Sequence, residues 1–599
     1  MTRILFRLGL FLFAPLALAT HLQPEVDALI NQVDPNINLG VVVVDLNTNE
    51  TLYERNPTRS FIPASNMKLF SDAAALLALG PDYRFKSNLT TDAPRVDKGT
   101  LKGSLYLQLP GDPSFSKTDL DHLLVALPQW GIRRIQGNVV LVSNTHQIAS
   151  TPPGRMASDG KYSYGASVSP VMFDENRITI TVNPASKVGK PAWLELGDPD
   201  APISLINHVK TTAHITKCGL DFNMDDKNQV TVSGCIAVGQ WAVQERIAIR
   251  HPLYYAQTLI RSHLAQLNIQ LEGQILLGQA PNASLLLSSH RSKPIAQLMA
   301  DTLKPSDNLY ADSLFLHTAT ILSGSPLNWQ QAQPIVKQFL QQQTEINLQS
   351  AVLIDGSGLS RNDLLTPQQT VDLLKFLHDR FPLSYEYIAA LPIAGQDGTL
   401  QKRFRKPTQQ GLLRAKTGTM TGIMSLSGYL YTANSHTLAF AIYINKTKDT
   451  KSAVSGRYRS LVDNLCDFFL QQKPDNTSSA HTERPNPRVA FQQQPSEQDK
   501  QQVRFAKWRQ LESALKQSLQ GQSVTVLFQT NQLILKDSEK NPNTVWSTLQ
   551  RLRKKYLFTV ALHSRAAPKG ALTTPLLVWI KTTQPNTLAI RTWTLRESV

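Results

Sequence analysis

The chain has 599 residues, which is too long for one ordinary hydrophobic core, so we expect two to four domains. Hydrophobic residues make up 41% and charged residues 18% of the chain, values that indicate a globular protein and exclude a mainly disordered one. The formal net charge of +16 is concentrated from Lys473 onward, where 19 lysines and arginines stand against 8 acidic residues. No recognisable nucleic-acid-binding motif accompanies this excess, so we expect no nucleic-acid partner.

The N-terminus has the pattern of a secretory signal peptide over residues 1–19. Arg3 and Arg7 give it a basic start, residues 8–18 form an apolar run, and Ala17-Leu-Ala19 fits a cleavage site. The run is short for a membrane-spanning helix, although an uncleaved anchor is the alternative. No later stretch of spanning length is free of charges, so we expect an exported protein that is soluble or peripheral to a membrane.

Two strands and a helix are the first elements predicted after the signal. Residues 40–45 form a continuous apolar run, typical of a buried strand, and residues 51–54 begin a second strand after a turn. Apolar residues at helical spacing predict a helix over 66–79, and Gly80 is its expected stop. Ser65 therefore lies at the entrance of this helix.

Short strands dominate residues 86–272 and predict one or two β-rich modules inserted after the first helix. Cys218 and Cys235 flank a turn in this region, so that they either close a hairpin as a disulfide or remain buried thiols. The third cysteine, Cys466, lies in a predicted helix, where we expect a small core residue.

Mixed helices and strands return over residues 273–471 and are followed by a different composition. Residues 472–502 are rich in Pro, Gln, Ser and Asn and predict a linker. Residues 503–599 resume regular patterns, with strands expected at 524–528 and 532–536. They predict a small basic α+β domain at the C-terminus.

The first of three candidate motifs is Ser65-Asn-Met-Lys68. A helix places both side chains on one face. A serine hydroxyl is a weak nucleophile until a base removes its proton, and a lysine is such a base only if its pKa is lowered by burial or by another cation. The helix N-terminus also favours negative charge developing at Ser65. Taken alone, the motif equally fits a capping serine and a surface lysine.

The second motif is Ser306-Asp-Asn308, which precedes a predicted helix. The hydroxyl of Ser306 can relay a proton, and the amide of Asn308 can hold the substrate backbone and the active lysine. The alternative is an ordinary helix cap.

The third motif is Lys416-Thr-Gly-Thr419, at the end of a predicted strand. Lys416 can bind a substrate carboxylate, Thr417 can add a hydrogen bond, and Gly418 permits close backbone approach. The amides of Thr419 and Ser65 can together form an oxyanion hole. The alternative is a strand that ends in a Thr-Gly turn. No CxxC or HExxH spacing is present, so neither a metal nor another cofactor is expected.

The order of the three motifs resembles that of the active-serine penicillin-recognising enzymes, which carry SxxK at a helix start, SxN on a loop and KTG on a strand. More narrowly, the chain resembles the class C penicillin-binding proteins of the D-alanyl-D-alanine carboxypeptidase/endopeptidase family. The stretches that carry this resemblance are Pro63–Leu69, Pro110–Phe115, Lys304–Ala311, Asp355–Arg361, Gly395–Leu400 and Ala415–Thr419.

The resemblance implies an α/β (α+β) transpeptidase/β-lactamase-like domain formed by residues 20–85 and 273–471. The β-rich insertion 86–272 interrupts it, and the small C-terminal α+β domain 503–599 follows it. The implied activity is that of a serine-type D-Ala-D-Ala carboxypeptidase, with possible D,D-endopeptidase action, on peptidoglycan stem peptides and cross-links. The implied acyl-enzyme also forms with penicillin and other β-lactam inhibitors. The implied location is the periplasm.

The resemblance also assigns roles to residues. Ser65 is expected to attack the carbonyl of the penultimate D-Ala, and Lys68 to take its proton. Ser306 and Asn308 are expected to assist proton transfer and positioning, after which water deacylates the enzyme. The expected substrate-binding residues are Lys416, Thr417, Gly418, Thr419 and Arg361.

Two residues and one region keep alternative interpretations. Arg361 either lines the cleft or forms a structural salt bridge. Asp159 matches the family poorly and is expected to be a loop residue in a turn. The basic region 503–599 has no counterpart in the family, and it either binds anionic envelope material, contacts a partner or is a folded appendage.

Two other functions also remain open at this point. A β-lactamase would use the same acylation chemistry with fast deacylation, although the long stretch between Ser65 and Ser306 argues against it. A non-catalytic scaffold would bind peptidoglycan without cleaving it, although the complete set of motif residues argues against it.

Overall fold

The computed structural model describes four stretches of the chain in full and four C-terminal strands by their backbone. The four stretches are residues 22–143, 151–214, 218–445 and 456–471. The predicted signal peptide and the predicted linker both lie outside the described residues.

Several helices begin at polar residues whose side chains accept hydrogen bonds from backbone N–H groups of the first turn. Ser116, Asn328 and Thr366 each form a capping box at the start of a helix. Among the described residues, no helix combines the length and the apolar character needed to cross a membrane. The eleven α-helices of these residues are α1 (Gln23–Val33), α2 (Met67–Leu79), α3 (Lys117–Leu124), α4 (Ala126–Gln129), α5 (Pro252–Gln266), α6 (Ile295–Leu303), α7 (Asn308–Ser323), α8 (Trp329–Thr344), α9 (Pro367–His378), α10 (Leu383–Ala390) and α11 (Arg457–Leu470).

The strands form six sheets within the described residues. In chain order they are β1 (Leu39–Asp45), β2 (Thr51–Arg55), β3 (Lys86–Thr91), β4 (Val96–Asp97), β5 (Thr100–Leu101), β6 (Leu105–Leu109), β7 (Arg134–Ile135), β8 (Val139–Ser143), β9 (Arg177–Asn183), β10 (Trp193–Leu196), β11 (Leu205–Thr212), β12 (Asp221–Met224), β13 (Val230–Ala237), β14 (Val243–Ala248), β15 (Gln270–Leu271), β16 (Ile275–Gly278), β17 (Leu285–Arg291), β18 (Leu413–Met420), β19 (Ile423–Tyr431), β20 (Thr437–Asn445), β21 (Val524–Gln529), β22 (Gln532–Asp537), β23 (Thr559–His563) and β24 (Leu577–Lys581).

An antiparallel sheet in the order β18-β19-β20-β1-β2 carries helices on both faces. Alternate residues of β20, such as Ile442 and Ile444, share a core with α1 and α11. Tyr443 points to the opposite face, where its hydroxyl is 2.7 Å from the Thr370 hydroxyl of α9. Because the sheet is covered on both faces, every residue of β1 is buried, which accounts for the continuous apolar run 40–45. The predicted mixed α/β class is confirmed.

A β-rich region lies between α2 and α6 and has its own hydrophobic core. Its sheets have the orders β16-β8-β6-β3-β17, β15-β7-β5-β4, β10-β9-β14 and β11-β13-β12. Cys218 forms a disulfide with Cys235, which lies in β13. Strands that pair with β3 and β8 continue as far as Arg291, past residue 272, where the sequence analysis ends the insertion. The division of the chain into domains remains a prediction.

The four C-terminal strands form an antiparallel sheet in the order β21-β22-β24-β23. Two of them, β21 and β22, coincide with the strands predicted at 524–528 and 532–536. The predicted helices of this region lie outside the described residues.

Candidate active site

Ser65 lies in a short 3-10 turn, Ala64–Asn66, that leads directly into α2. Ala64 has a φ of +47°, a left-handed conformation that is unfavourable for a residue with a Cβ atom. Lys68 is in the first turn of α2, and its Nζ is 2.8 Å from the Ser65 Oγ. The strained turn therefore presents a partly exposed hydroxyl beside a fully buried amine.

The amine of Lys68 has three acceptors, which come from three separate parts of the chain. It donates to the Ser65 Oγ, to the Asn308 Oδ1 at 2.6 Å and to the Ser357 carbonyl at 2.7 Å. Burial lowers the pKa of Lys68 to about 8, against the opposing charges of nearby carboxylates such as Asp312 and Asp355. A larger fraction of Lys68 is therefore uncharged at neutral pH than for an exposed lysine.

The Ser306–Asn308 loop joins this amine to the β-rich region. Ser306 has a φ of +66°, and Asp307 caps α7 by accepting the N–H of Tyr310. Asn308 accepts from Lys68 through its oxygen and donates through its Nδ2 to the carbonyl of Tyr164, at 2.7 Å. The orientation of the Asn308 amide is therefore set from both sides.

A second buried amine, that of Lys416 on β18, faces the same loop. Its Nζ is 2.8 Å from the Ser306 Oγ and 2.8 Å from the Thr417 carbonyl. Burial and the charge of Lys68 lower the pKa of Lys416 well below its usual value, while Asp72 opposes the shift. The structure thus brings the three sequence motifs together at one site.

The end of β18 runs directly beside the turn that carries Ser65. A Cβ atom on Gly418 would come within 2.9 Å of the Pro63 carbonyl, so only glycine fits this approach without a shift. Thr417 is partly buried and Thr419 is exposed. The strand end therefore forms one wall next to the Ser65 hydroxyl.

Two further residues from the sequence analysis lie near this wall or in the β-rich region. Arg361 donates through Nη1 to the carbonyl of Thr421 at 3.3 Å, and within the described residues it forms no ion pair. Asp159 lies in the 3-10 turn Ala157–Lys161 and accepts from the Tyr164 hydroxyl at 3.1 Å. The expected turn position of Asp159 is thus found, and Arg361 lies beside the β18–β19 turn.

Sequence reasoning missed a buried ionic cluster behind Lys68. Arg155 is bonded to Asp355, with its Nε at 2.9 Å from Oδ2, and its Nη2 contacts Asp312 and the Ser357 hydroxyl. Burial raises the pKa of Asp312 to about 6 despite the opposing charge of Arg155. For Asp355, burial also favours the neutral acid, but Arg155 and the N–H of Gly358 outweigh it and lower the pKa.

This cluster fixes the loop that supplies one acceptor to Lys68. Asp355 accepts the N–H of Gly358 at 2.6 Å and that of Ser360 at 3.0 Å, which closes the loop around the Ser357 carbonyl. The Asp355–Arg361 stretch had been singled out, but nothing in the local sequence indicated Arg155, which is 200 positions away from Asp355.

A second missed residue is Arg177, on β9 of the β-rich region. Its Nη2 is 2.9 Å from the Asp307 Oδ1, and its Nε donates to the Ser163 carbonyl at 2.8 Å. The β-rich region therefore holds the Ser306–Asn308 loop through Arg177 as well as through Tyr164. No motif marked this arginine in the sequence.

Comparisons with known proteins show which family this chain belongs to. Residues 22–463 match the model of the D-Ala-D-Ala carboxypeptidase 3 (S13) family. The D-alanyl-D-alanine carboxypeptidase DacB of Haemophilus influenzae is 30% identical over 453 residues, which cover 73% of this chain and 92% of that protein. A D-alanyl-D-alanine carboxypeptidase of an Actinomadura species is 30% identical over 444 residues, which cover 71% and 81%.

A solved structure extends the similarity to the fold. The crystal structure of penicillin binding protein 4 (dacB) from Haemophilus influenzae has a TM-score of 0.67 and 28% identity, and the match covers 75% of this chain and 99% of that one. The fold is that of the serine-type penicillin-recognising enzymes, with a transpeptidase/β-lactamase-like domain. The chain belongs to the D-Ala-D-Ala carboxypeptidase 3 (S13) family and is a D-Ala-D-Ala carboxypeptidase acting on the bacterial cell wall.

The buried cluster predicts that Arg155→Met lowers the free energy of unfolding by about 3–5 kcal/mol, because it leaves Asp312 and Asp355 buried without their cation. Chemical denaturation measures this change. The matched control is Lys102→Ala, which removes an exposed ion pair with Asp97 and should leave the unfolding midpoint unchanged. Equal midpoints for Arg155→Met and the parent protein would contradict the assigned role of the cluster.

Proposed function

We propose that Ser65 is the nucleophile of this carboxypeptidase and Lys68 its general base. The observation that supports this most directly is the 2.8 Å distance between the Ser65 Oγ and a completely buried Lys68 Nζ. A neutral lysine amine at this distance can accept the hydroxyl proton as the oxygen attacks a carbonyl. The other proposed roles belong to residues that surround the Ser65 Oγ and the Lys68 Nζ.

In acylation, the Ser65 Oγ bonds to the carbonyl carbon of the penultimate D-Ala while its proton passes to Lys68. The amides of Ser65 and Thr419 stabilise the oxyanion of the tetrahedral intermediate. The proton then returns through Lys68 and the Ser306 hydroxyl to the nitrogen of the terminal D-Ala, which leaves as the C–N bond breaks. Asn308 keeps Lys68 in place during this exchange.

In deacylation, water adds to the acyl carbon and gives its proton to Lys68, and the proton returns to the Ser65 oxygen as the ester bond breaks. The released peptide is one D-Ala shorter. No group outside the protein and water is needed for the proton balance.

We propose that Lys416 and Thr417 bind the carboxylate of the terminal D-Ala, beside the close approach at Gly418. A carboxylate there gives the buried Lys416 amine a counter-ion, which is missing from its hydrogen-bond partners within the described residues. We assign Arg361 to the rim of the cleft, where its contact with the Thr421 carbonyl keeps it beside the end of β18.

The proposed substrates are peptidoglycan stem peptides that end in D-Ala-D-Ala, and cross-links whose leaving group is a D-centred amine. β-Lactams are proposed to acylate Ser65 because they present a reactive carbonyl and a carboxylate to the same groups. The Haemophilus influenzae penicillin binding protein 4 has been solved in complex with a β-lactam, at 28% identity and a TM-score of 0.64 to this chain.

Replacing Ser65 with alanine is expected to abolish the release of free D-Ala from a stem pentapeptide, because among the described residues its hydroxyl is the only one that accepts a hydrogen bond from the Lys68 amine. D-Ala is quantified with a coupled oxidase assay, and a cross-linked dimer serves as the endopeptidase substrate. Mass spectrometry of the penicillin-treated parent protein should locate the adduct on Ser65. If Ser65→Ala released D-Ala as fast as the parent protein, the assignment of Ser65 would be contradicted. A parent protein that neither reacts with penicillin nor releases D-Ala would favour the scaffold interpretation.

The rate of penicillin acylation is expected to rise with pH and to level off above a midpoint of about 8. The sign follows from burial, which favours the uncharged amine and so lowers the pKa of Lys68 from its ordinary value. Stopped-flow acylation rates between pH 6 and 10 measure the midpoint. A midpoint near the value of an exposed lysine, about 10.4, would contradict Lys68 as the base.

We propose further that the protein is exported to the periplasm, on the pattern of residues 1–19, and that its basic C-terminal region associates with anionic envelope components. From Lys473 onward the charge difference is +11, which is most of the net charge of the whole chain. Such an excess attracts anionic polymers and headgroups over the Debye length of the medium.

The full chain is therefore expected to co-sediment with anionic cell-wall fragments at low salt and to be released at high salt, because salt screens the attraction. Ser65→Ala, saturated with substrate peptide, is the control, since it retains the basic region while the cleft is occupied. Binding that is independent of salt, or lost when the cleft is occupied, would contradict this proposal.

A further inference from the structure

A fully buried carboxyl group, that of Asp72, lies on the helix that carries the proposed base and is not used by the mechanism above. Asp72 follows Lys68 by four positions on α2, so the two side chains share one helix face. Its exposed fraction is 0%. Within the described residues, neither of its carboxyl oxygens has a hydrogen-bond donor.

This isolation distinguishes Asp72 from the other buried carboxyl groups near Lys68. Asp312 and Asp355 both pair with Arg155 and accept hydrogen bonds from backbone N–H groups. Burying a carboxyl group without hydrogen-bond donors lowers the stability of the folded protein. An alanine at position 72, like the three alanines that follow it in α2, would avoid this loss. The position of Asp72 therefore requires an explanation other than packing.

The groups that act on Asp72 are the two site lysines. Burial raises the pKa of Asp72 well above its usual value, whereas the charges of Lys68 and Lys416 oppose this shift. In turn, the carboxylate of Asp72 favours the charged forms of both lysines. From α10, the buried phenol of Tyr387 donates to the Leu69 carbonyl, and burial together with the charge of Asp72 raises the Tyr387 pKa.

We infer that Asp72 is a positioning residue that shares a proton with the two buried lysines and thereby sets the fraction of Lys68 in the uncharged, proton-accepting form. When a proton moves from the ammonium to the carboxylate, an amine and a carboxylic acid replace an ion pair, and the net charge is unchanged. A buried site of low polarity increases the share of this neutral pair, and the remaining Lys68 stays charged beside the Asp72 carboxylate until the pH rises. The equilibrium depends on the energies of the two states and needs no direct hydrogen bond between the groups.

The substrate acts on the same equilibrium. A carboxylate bound at Lys416 keeps that lysine charged and brings a second negative charge toward Asp72, which favours the protonated acid. Asp72 can thus become a neutral acid when the substrate carboxylate brings a negative charge into the site, so that Lys68 remains available as an uncharged base. This inference rests on the proposed roles of Ser65 and Lys68.

The experiment is the pH dependence of penicillin acylation in Asp72→Asn. The amide cannot carry the negative charge that favours charged Lys68, so the midpoint of the rising limb should move to lower pH. Asp72→Ala is a second variant, since alanine has the highest helix propensity, and it should show the same shift because it also removes the carboxylate charge. An unchanged midpoint in both variants would overturn the inference.

Two controls separate this role from a structural one. Asp112→Asn removes a carboxyl of the β-rich region that is also buried and has a raised pKa, and it should leave the midpoint where it is. The melting temperature of Asp72→Asn at pH 7 should be equal to or above that of the parent protein. The reason is that an acid with a raised folded-state pKa loses stability as pH rises above its unfolded value, and asparagine removes that loss.

The outcomes also separate this inference from the proposed function. If penicillin does not acylate Ser65 in the parent protein, the proposed nucleophile is wrong. If Ser65 is acylated but the midpoint of Asp72→Asn matches that of the parent, only the role of Asp72 is wrong. A lower melting temperature, with acylation slowed equally at every pH, would make Asp72 a structural residue.

Discussion

The burial of one amine, that of Lys68, is the constraint on which the rest of this site depends. Water would hold the amine in its charged form, and an exposed lysine could not accept a proton from a serine near neutral pH. Removing water requires acceptors for the N–H groups, and the protein supplies them from a turn, a helix start and a loop. The position of each of these three segments must therefore be fixed, and many of the surrounding contacts fix them.

The β-rich region contributes to this support from outside the α/β layers. Arg155 and Arg177 reach from it to acidic residues next to two of the three acceptors, and the carbonyl of Tyr164 orients the Asn308 amide. Charged groups of this kind are tolerated in the interior because they are paired and hydrogen-bonded. The β-rich region is thus part of the construction of the site and not only an addition to its surface.

The sequence was sufficient to predict the family, the fold class and the residues that meet at the site. Ser65, Lys68, Ser306, Asn308 and Lys416 were identified because their motifs depend on local structure, namely a helix start, a loop and a strand end. The strand at 40–45 followed from an apolar run of the kind that a sheet covered on both faces produces, and a strand was also predicted at 524–528, where β21 lies. The sequence left undecided whether Cys218 and Cys235 form a disulfide, because their spacing alone does not distinguish a bridge from two thiols. The structure shows that the bridge is formed.

Local patterns determined which residues are proposed to carry the chemistry, since a motif needs only neighbours along the chain. The tertiary structure decided their protonation and their support, because burial and charge come from distant segments. Arg155 is far along the chain from the carboxyl groups that it pairs with. In the sequence, Asp72 is an ordinary helix residue, and only the folded structure shows that it is buried. The electrostatic balance among Lys68, Lys416 and the buried carboxyl groups therefore could not be read from sequence, because it depends on distances that only the folded chain defines.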